Sequence, residues 1–386
     1  MTRPYNTKRS NVQDANVRSG DLRAKLVFRI CNFSPAMFTV VMGCGISSSI
    51  LLNHNFPTFW LRRLAYGYWG VALFSFISFI SFTILRHIMF RGSLLRDLRH
   101  PRQSMFYGCI PTAYSSLLMD SVKIFGIRAA WPCYVLLWFD IFIAVIVGWF
   151  VVFNGFVTHN RKNPNELTGV ILFPTIALIV NSTTAAQLVP YLPYSYKGLV
   201  MAVSSLIWGN GESAFAYTTV YVWRLLTTNL PARENTISRF LLVGPSGQGA
   251  FSVLRNMENV NNYYAIKHPS LTQTPIFLYV GVAISMLMVA FASFWSFYAV
   301  ASCLVTRPRR FGITWWSSCF PMGTYASATS ESGRVLDSTA FKILSTIVGT
   351  SVVTVCFILL LCTLYFGVLH DQILTLLDEE ITSYYA

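Results

Sequence analysis

From Pro35 to His370 the chain is a succession of apolar runs, each about twenty residues or longer, parted by short polar segments. Runs of this length cross a bilayer as α-helices, because in lipid a backbone must satisfy its own hydrogen bonds. The other structure that meets that demand, a closed barrel, alternates over segments of about ten residues, and no such alternation is present. Composition agrees: 54% of the 386 residues are hydrophobic and 11% charged, with a mean hydropathy of +0.51. A soluble chain carries about a quarter charged residues. The expected fold class is an all-α polytopic membrane protein embedded in a lipid bilayer.

The runs read as ten transmembrane helices, over 34–52, 66–90, 104–125, 131–157, 167–190, 196–227, 237–256, 275–304, 313–333 and 340–370. The seventh is short and glycine-rich, and Glu258–Gln273 reads as a polar loop. Residues 1–33 then form a basic cytosolic tail, 34–370 the transport domain, and 371–386 a short acidic cytosolic tail. A net charge of +14 would suggest nucleic acid in a soluble chain. Here the Lys and Arg concentrate in the tail, in Arg86–Arg102 and in loops on the same side, while the opposite loops hold far fewer. Topology explains that asymmetry, with both termini in the cytosol. No nucleic-acid partner is expected. The tail has no short apolar core with a cleavage site, so it is not read as a signal peptide. The eight cysteines form no CxxC and no Cys/His cluster, so neither a metal, a disulfide nor another cofactor is expected.

The odd-numbered spans share a pattern: a proline or glycine near the middle, then small polar residues. They read "MGCGISSS" from Met42, "IPTAYSSL" from Ile110, "FPTIALIVNSTTAA" from Phe173, "GPSGQGAFS" from Gly244 and "FPMGTYASATS" from Phe320. The marker residues Gly43, Pro111, Pro174, Pro245 and Pro321 recur about every seventy residues, a two-helix repeat. The even spans are bulky and aromatic. The pattern predicts five kinked inner helices forming a pore inside five outer helices. Proline breaks the hydrogen-bond ladder, and small hydroxyl residues line water or a solute. Close packing of small residues explains any one such span equally well. The pore-lining and anion-binding candidates are these five markers with Gly45, Ser47, Thr112, Asn181, Ser246, Gln248, Gly323 and Thr324.

Ionisable residues within the spans are few. A neutral lining without a carboxylate ring, and without arginine on the inner helices, suits an anion held by hydroxyls and backbone amides rather than a cation. Asp140 and Glu212 are the candidates for proton coupling, against a purely structural role. Asp120 and Lys123, one turn apart, read as a pair. Phe320, a bulky ring before Pro321, is either a pore gate or a packing residue.

"MFTVVMGCGISSSILL", "LLVGPSGQGAF", "CFPMGT" and "FKILSTIVGT" resemble the tellurite-resistance/dicarboxylate transporter family, which includes plant slow anion channels. The "GPSGQG" and first-span motifs are similar to its sulfite-exporting branch. The resemblance implies export of sulfite or bisulfite at the plasma membrane by a homotrimer with one pore per protomer. It also implies that Phe320 occludes that pore. Ser318 departs from the pattern, since relatives often carry a second aromatic there. The rival functions are a C4-dicarboxylate (malate) transporter and a passive anion channel of the same fold. An enzyme is not expected: His87, His159 and His370 sit near span ends with no HxxxD-like pair.

Overall fold

The computed structural model describes residues 22–158, 167–228, 233, 236–267, 275–308 and 311–369. Among these the chain is helical, with no strand. A first helix, α1 (Leu22–Cys31), precedes α2 (Phe38–Leu52), α3 (Phe59–Met89), the short α4 (Ser93–Arg99) and α5 (Cys109–Phe125). Gly126, at φ +59°, is the whole connection from α5 to α6 (Ile127–Ile146), a turn that favours glycine. A π turn at Val147–Val151 carries α6 into α7 (Val152–Thr158). Then follow α8 (Phe173–Leu188), α9 (Tyr194–Gly211), α10 (Ala214–Thr228), α11 (Val243–Lys267), α12 (Ile276–Val305), α13 (Cys319–Val335) and α14 (Thr339–Cys362).

Six stretches among the described residues are long and apolar enough to cross a membrane. They divide by burial. Pro35–Leu52 and Gly169–Tyr191 are 89% and 94% buried, whereas the other four are 17–39% buried. The less buried helices carry large exposed apolar side chains: Phe74 on α3, Phe142 on α6 and Phe297 on α12 are 75%, 63% and 74% exposed. A surface of that kind needs an apolar solvent.

Several expectations need correction. Residues 1–21 and 370–386 lie outside the described residues, so neither the outer tail nor the acidic C-terminus is placed. Leu22–Cys31, within the expected tail, forms a helix, and the Cys31 carbonyl accepts from Arg86 Nε at 3.2 Å. The loop after the second span holds α4, fixed by a buried bidentate pair in which Arg86 donates to Asp97 at 2.6 and 3.0 Å. Glu258–Gln273 is not a loop throughout, since α11 runs on to Lys267. Contacts that its polar residues make account for the extension: Arg255 with Glu258 within the helix, and Asn259 donating to the Ala186 carbonyl at 2.7 Å. The sixth span breaks into α9 and α10 at Glu212 and Ser213.

The prolines are corrected too. None sits mid-helix in an inner candidate. Each of α2, α5, α8, α11 and α13 is preceded by a 3₁₀ turn: Pro35–Met37, Met105–Gly108, Gly169–Leu172, Ile237–Leu242 and Ile313–Ser318. Pro111, Pro174, Pro245 and Pro321 stand second or third in the α-helix that follows. First-turn amides have no intrahelical partner, so proline costs nothing there. The expected kink is therefore a change from 3₁₀ to α at the start of each helix.

A candidate anion path among the buried helices

The five helices with 3₁₀ lead-ins pack in a closed cycle: α2 on α5, α5 on α8, α8 on α11, α11 on α13, and α13 back on α2. All five run in the same direction. At their starts Ser34 donates to Gln103 at 2.6 Å, Gly108 abuts Phe173, Gly169 abuts Ser238, and Gly43 abuts Trp316. Toward the other ends of α2, α8 and α13, Asn259 from mid-α11 reaches Ala186, Arg255 from mid-α11 meets Glu331 at 2.9 Å, and Ser330 reaches the Asn53 carbonyl at 3.4 Å.

The candidate glycines lie at helix crossings. A Cβ on Gly43 would stand 2.7 Å from the Trp316 ring, and one on Gly45 2.6 Å from Ser116 Oγ. Gly323 faces Ile46 at a still closer approach. Close approach of helix backbones is what small residues permit in membranes. The hydroxyls of Ser47, Thr112 and Thr324 donate to carbonyls of their own chain: Gly43 at 2.8 Å, Gly108 at 2.7 Å and Pro321 at 2.7 Å. Ser47 sits beside Cys356 of α14. Gln248 Nε2 donates to Thr183 at 2.8 Å, while its buried Oε1 has no partner among the described residues. Ser246 is buried in α11.

Helical geometry sorts which side chains face into the cycle, since each residue turns about 100° from the last. Trp316 of the 3₁₀ lead-in and Gly323 of α13 face α2, whereas Thr324 and Tyr325 of α13 face Gly247 of α11. Tyr325 Oη meets Ser293 of α12, and Cys319 lies beside Cys356 of α14. The stripe left toward the interior carries Phe320, Ser327 and Glu331. Phe320 is 3% exposed, and among the described residues its ring has no aromatic partner. Ser327 Oγ is buried and has no hydrogen-bond partner among the described residues. On α5, Ser116 faces α2, and the Ser115 backbone accepts from Thr184 of α8 at 3.1 Å. Thr112 and Lys123 share the stripe between.

The proton-coupling candidates lie elsewhere. Asp140 of α6 is wholly buried, accepts from Ser115 and has the Asn181 amide beside it. Asn181 thus turns toward α6, away from the interior. Glu212 fills the break between α9 and α10 against Gly249, which Met288 also approaches, and neither carboxylate oxygen has a hydrogen-bond partner among the described residues. Asp120 and Lys123 form no ion pair, in contrast to the sequence reading: neither has a hydrogen-bond partner among the described residues. An inner-helix arginine, Arg255, was missed because its helix was expected to end beside it. Ser327 reads from the sequence as polar wall beyond Phe320, at i, i+7, whereas Lys123 reads only as the partner of Asp120, and its i, i+11 spacing from Thr112 was the signal for an inward position.

Among the described residues no group of three metal-binding side chains is assembled. The chain is similar to the sulfite efflux pump SSU1 of Arthroderma otae, 27% identical over 82% of this chain and 86% of that protein. It is similar to SSU1 of Saccharomyces cerevisiae, at 25% identity over 86% and 87%. It also matches a putative malic acid transport protein of Schizosaccharomyces pombe, at 22% identity over 93% and 85%. A family model for the voltage-dependent anion channel matches residues 32–364. These relatives are transporters or channels, not enzymes, and the helical chain, matched over nearly all its spans, belongs to the voltage-dependent anion channel (SLAC1) family.

Proposed function

We propose that the protein exports sulfite or bisulfite from the cytosol across the plasma membrane, along the axis of the five-helix cycle. The observation that carries this reading is Phe320. A buried phenylalanine without an aromatic partner among the described residues sits on the inward stripe of α13, second in the helix and just past the 3₁₀ lead-in. An apolar ring at that point closes a narrow path by excluding water, and its displacement opens it. The exposed apolar faces of α3, α6, α9, α10, α12 and α14 support an outer layer of spans against lipid, hence ten spans with both termini cytosolic. A homotrimer with one path per protomer is part of the same proposal.

Two curated relatives named sulfite efflux pumps favour sulfite. The malic acid relative keeps a C4-dicarboxylate as the second reading. Against it, Arg255 and Arg334 are already engaged by Glu258 and Glu331, leaving little free positive charge for two carboxylates. Purified protein in proteoliposomes, tested for flux of sulfite, malate and chloride with and without a pH gradient, decides. Sulfite flux is expected; malate flux without sulfite flux overturns the reading. Flux that follows only the electrochemical gradient of the anion identifies a passive channel.

A further inference from the structure

The far ends of α5 and α13 and the middle of α11 bring six ionisable side chains to one mouth of the cycle. Four of them satisfy one another. Arg255 meets Glu258 at 3.0 Å and Glu331 at 2.9 Å; Arg334 meets Glu258 at 2.7 Å and also Glu331. Each cation has two carboxylates and each carboxylate two cations, so this square needs no further ion.

Lys123 is left out of it. Its Nζ is buried and has no hydrogen-bond partner among the described residues. The ammonium lies 5.9 Å from the centroid of the Phe251 ring. Phe251 belongs to α11, which stands two places from α5 in the cycle. The lysine side chain therefore crosses the interior rather than lying along a neighbour. Asp120, one turn earlier, has its carboxylate toward Ser48 and Ser49 of α2, and it too is unpartnered. The charged groups around Lys123 are thus Asp120 on its own helix, Arg255 on α11 and Glu331 on α13.

A buried ammonium without a partner is costly, and such a charge inside a membrane protein marks a point on a solute's route. We infer that Lys123 is the seat for the transported anion at the mouth opposite the 3₁₀ lead-ins, its ammonium donating to the oxygens of a small oxyanion against the Phe251 ring. This rests on the transport reading above and narrows it. One free cation suits a compact oxyanion with a single charged centre. A dicarboxylate would need a second, and both nearby arginines are engaged. Asp120 sets the affinity: its negative charge, one turn away, weakens the hold on the anion and favours release at this mouth.

The test uses the purified full-length protein, with sulfite binding measured by calorimetry and sulfite and malate flux in proteoliposomes. Lys123→Gln is expected to raise the Kd for sulfite about tenfold, the loss of one charge-assisted hydrogen bond. Lys123→Arg, which keeps the charge, is expected to restore most of it. Asp120→Asn is expected to tighten binding. A monodisperse Lys123→Gln protein that binds sulfite like the wild type overturns the seat while leaving the transport reading intact. If Lys123→Gln does not yield folded protein, Asp120→Asn decides: a lower Kd supports the seat, and an unchanged or higher one overturns it. Wild-type protein that moves malate and no sulfite overturns both.

Discussion

Gly43 lies directly against the Trp316 indole, so that a Cβ on it would approach two ring carbons at 2.7 and 2.8 Å. The indole is itself held from the other side, Nε1 donating to Thr363 at 2.9 Å. One residue thus fixes how closely α2 and α13 approach, one turn before Phe320. Gly43→Val is expected to destabilise by about 1–3 kcal/mol, the cost of overpacking a closed interface. A thermal-denaturation series in detergent, with the exposed Gly70→Ala as reference, checks this. Equal melting temperatures would show that the indole yields freely.

Phe320→Ala is expected to raise anion conductance and to cost little stability. Phe38 provides the contrast. It is fully buried among the rings of Phe33, Phe76 and Phe79, and Phe38→Ala should cost about 3–5 kcal/mol without raising conductance. Phe74, 75% exposed, serves as the lipid-facing control, whereas Phe82 packs 5.7 Å from Phe33. Electrophysiology or anion flux with melting curves separates the three. A Phe320→Ala protein with unchanged flux would reduce that ring to packing.

Breaking the Arg86–Asp97 pair should be among the most damaging single changes outside the cycle. Both side chains are nearly inaccessible, at 2% and 3% exposure. Asp97→Asn leaves a buried guanidinium short of its counter-charge and is expected to destabilise by about 3 kcal/mol. The Arg86→Met/Asp97→Leu double variant should regain much of it. A double variant no better than the single one would place the loss in the contacts of Arg86 with Cys31 instead.

Membrane-impermeant thiol labelling of introduced cysteines tests orientation. Position 337 begins the turn between α13 and α14, where Asp337 has φ +47° and Lys342 holds its carboxyl below the ordinary value through a 2.6 Å contact. It should label only from outside, and position 91 only from the cytosol. Reversal of both would invert the orientation; labelling of both from one face would break the ten-span reading.

Element type was legible because apolar length alone decides it in lipid. The two-helix period was legible because proline and glycine punctuate each start. What a sequence withholds is the angle about each helix axis. Gly43, Gly45 and Ser47 read as lining, yet the first two meet neighbouring helices and the third turns toward α14. The same small residue serves both purposes, and tertiary packing chooses. Asp120 and Lys123 illustrate the point at spacing i, i+3. Their side chains diverge by about 60° about the axis, enough for one to face α2 and the other the interior. Arg255 was hidden differently, by an α11 that continues through polar residues no hydropathy profile would keep in a span.

The common direction of the five buried helices has an electrical consequence. Peptide dipoles add along a helix to about half a positive charge at its start. Five starts, each preceded by a 3₁₀ lead-in, place roughly two and a half positive charges at the end of the cycle nearest Phe320, with no lysine or arginine required. That field belongs to the backbone, so no single substitution removes it. A preference for anions over cations should survive side-chain replacements that abolish discrimination between one anion and another.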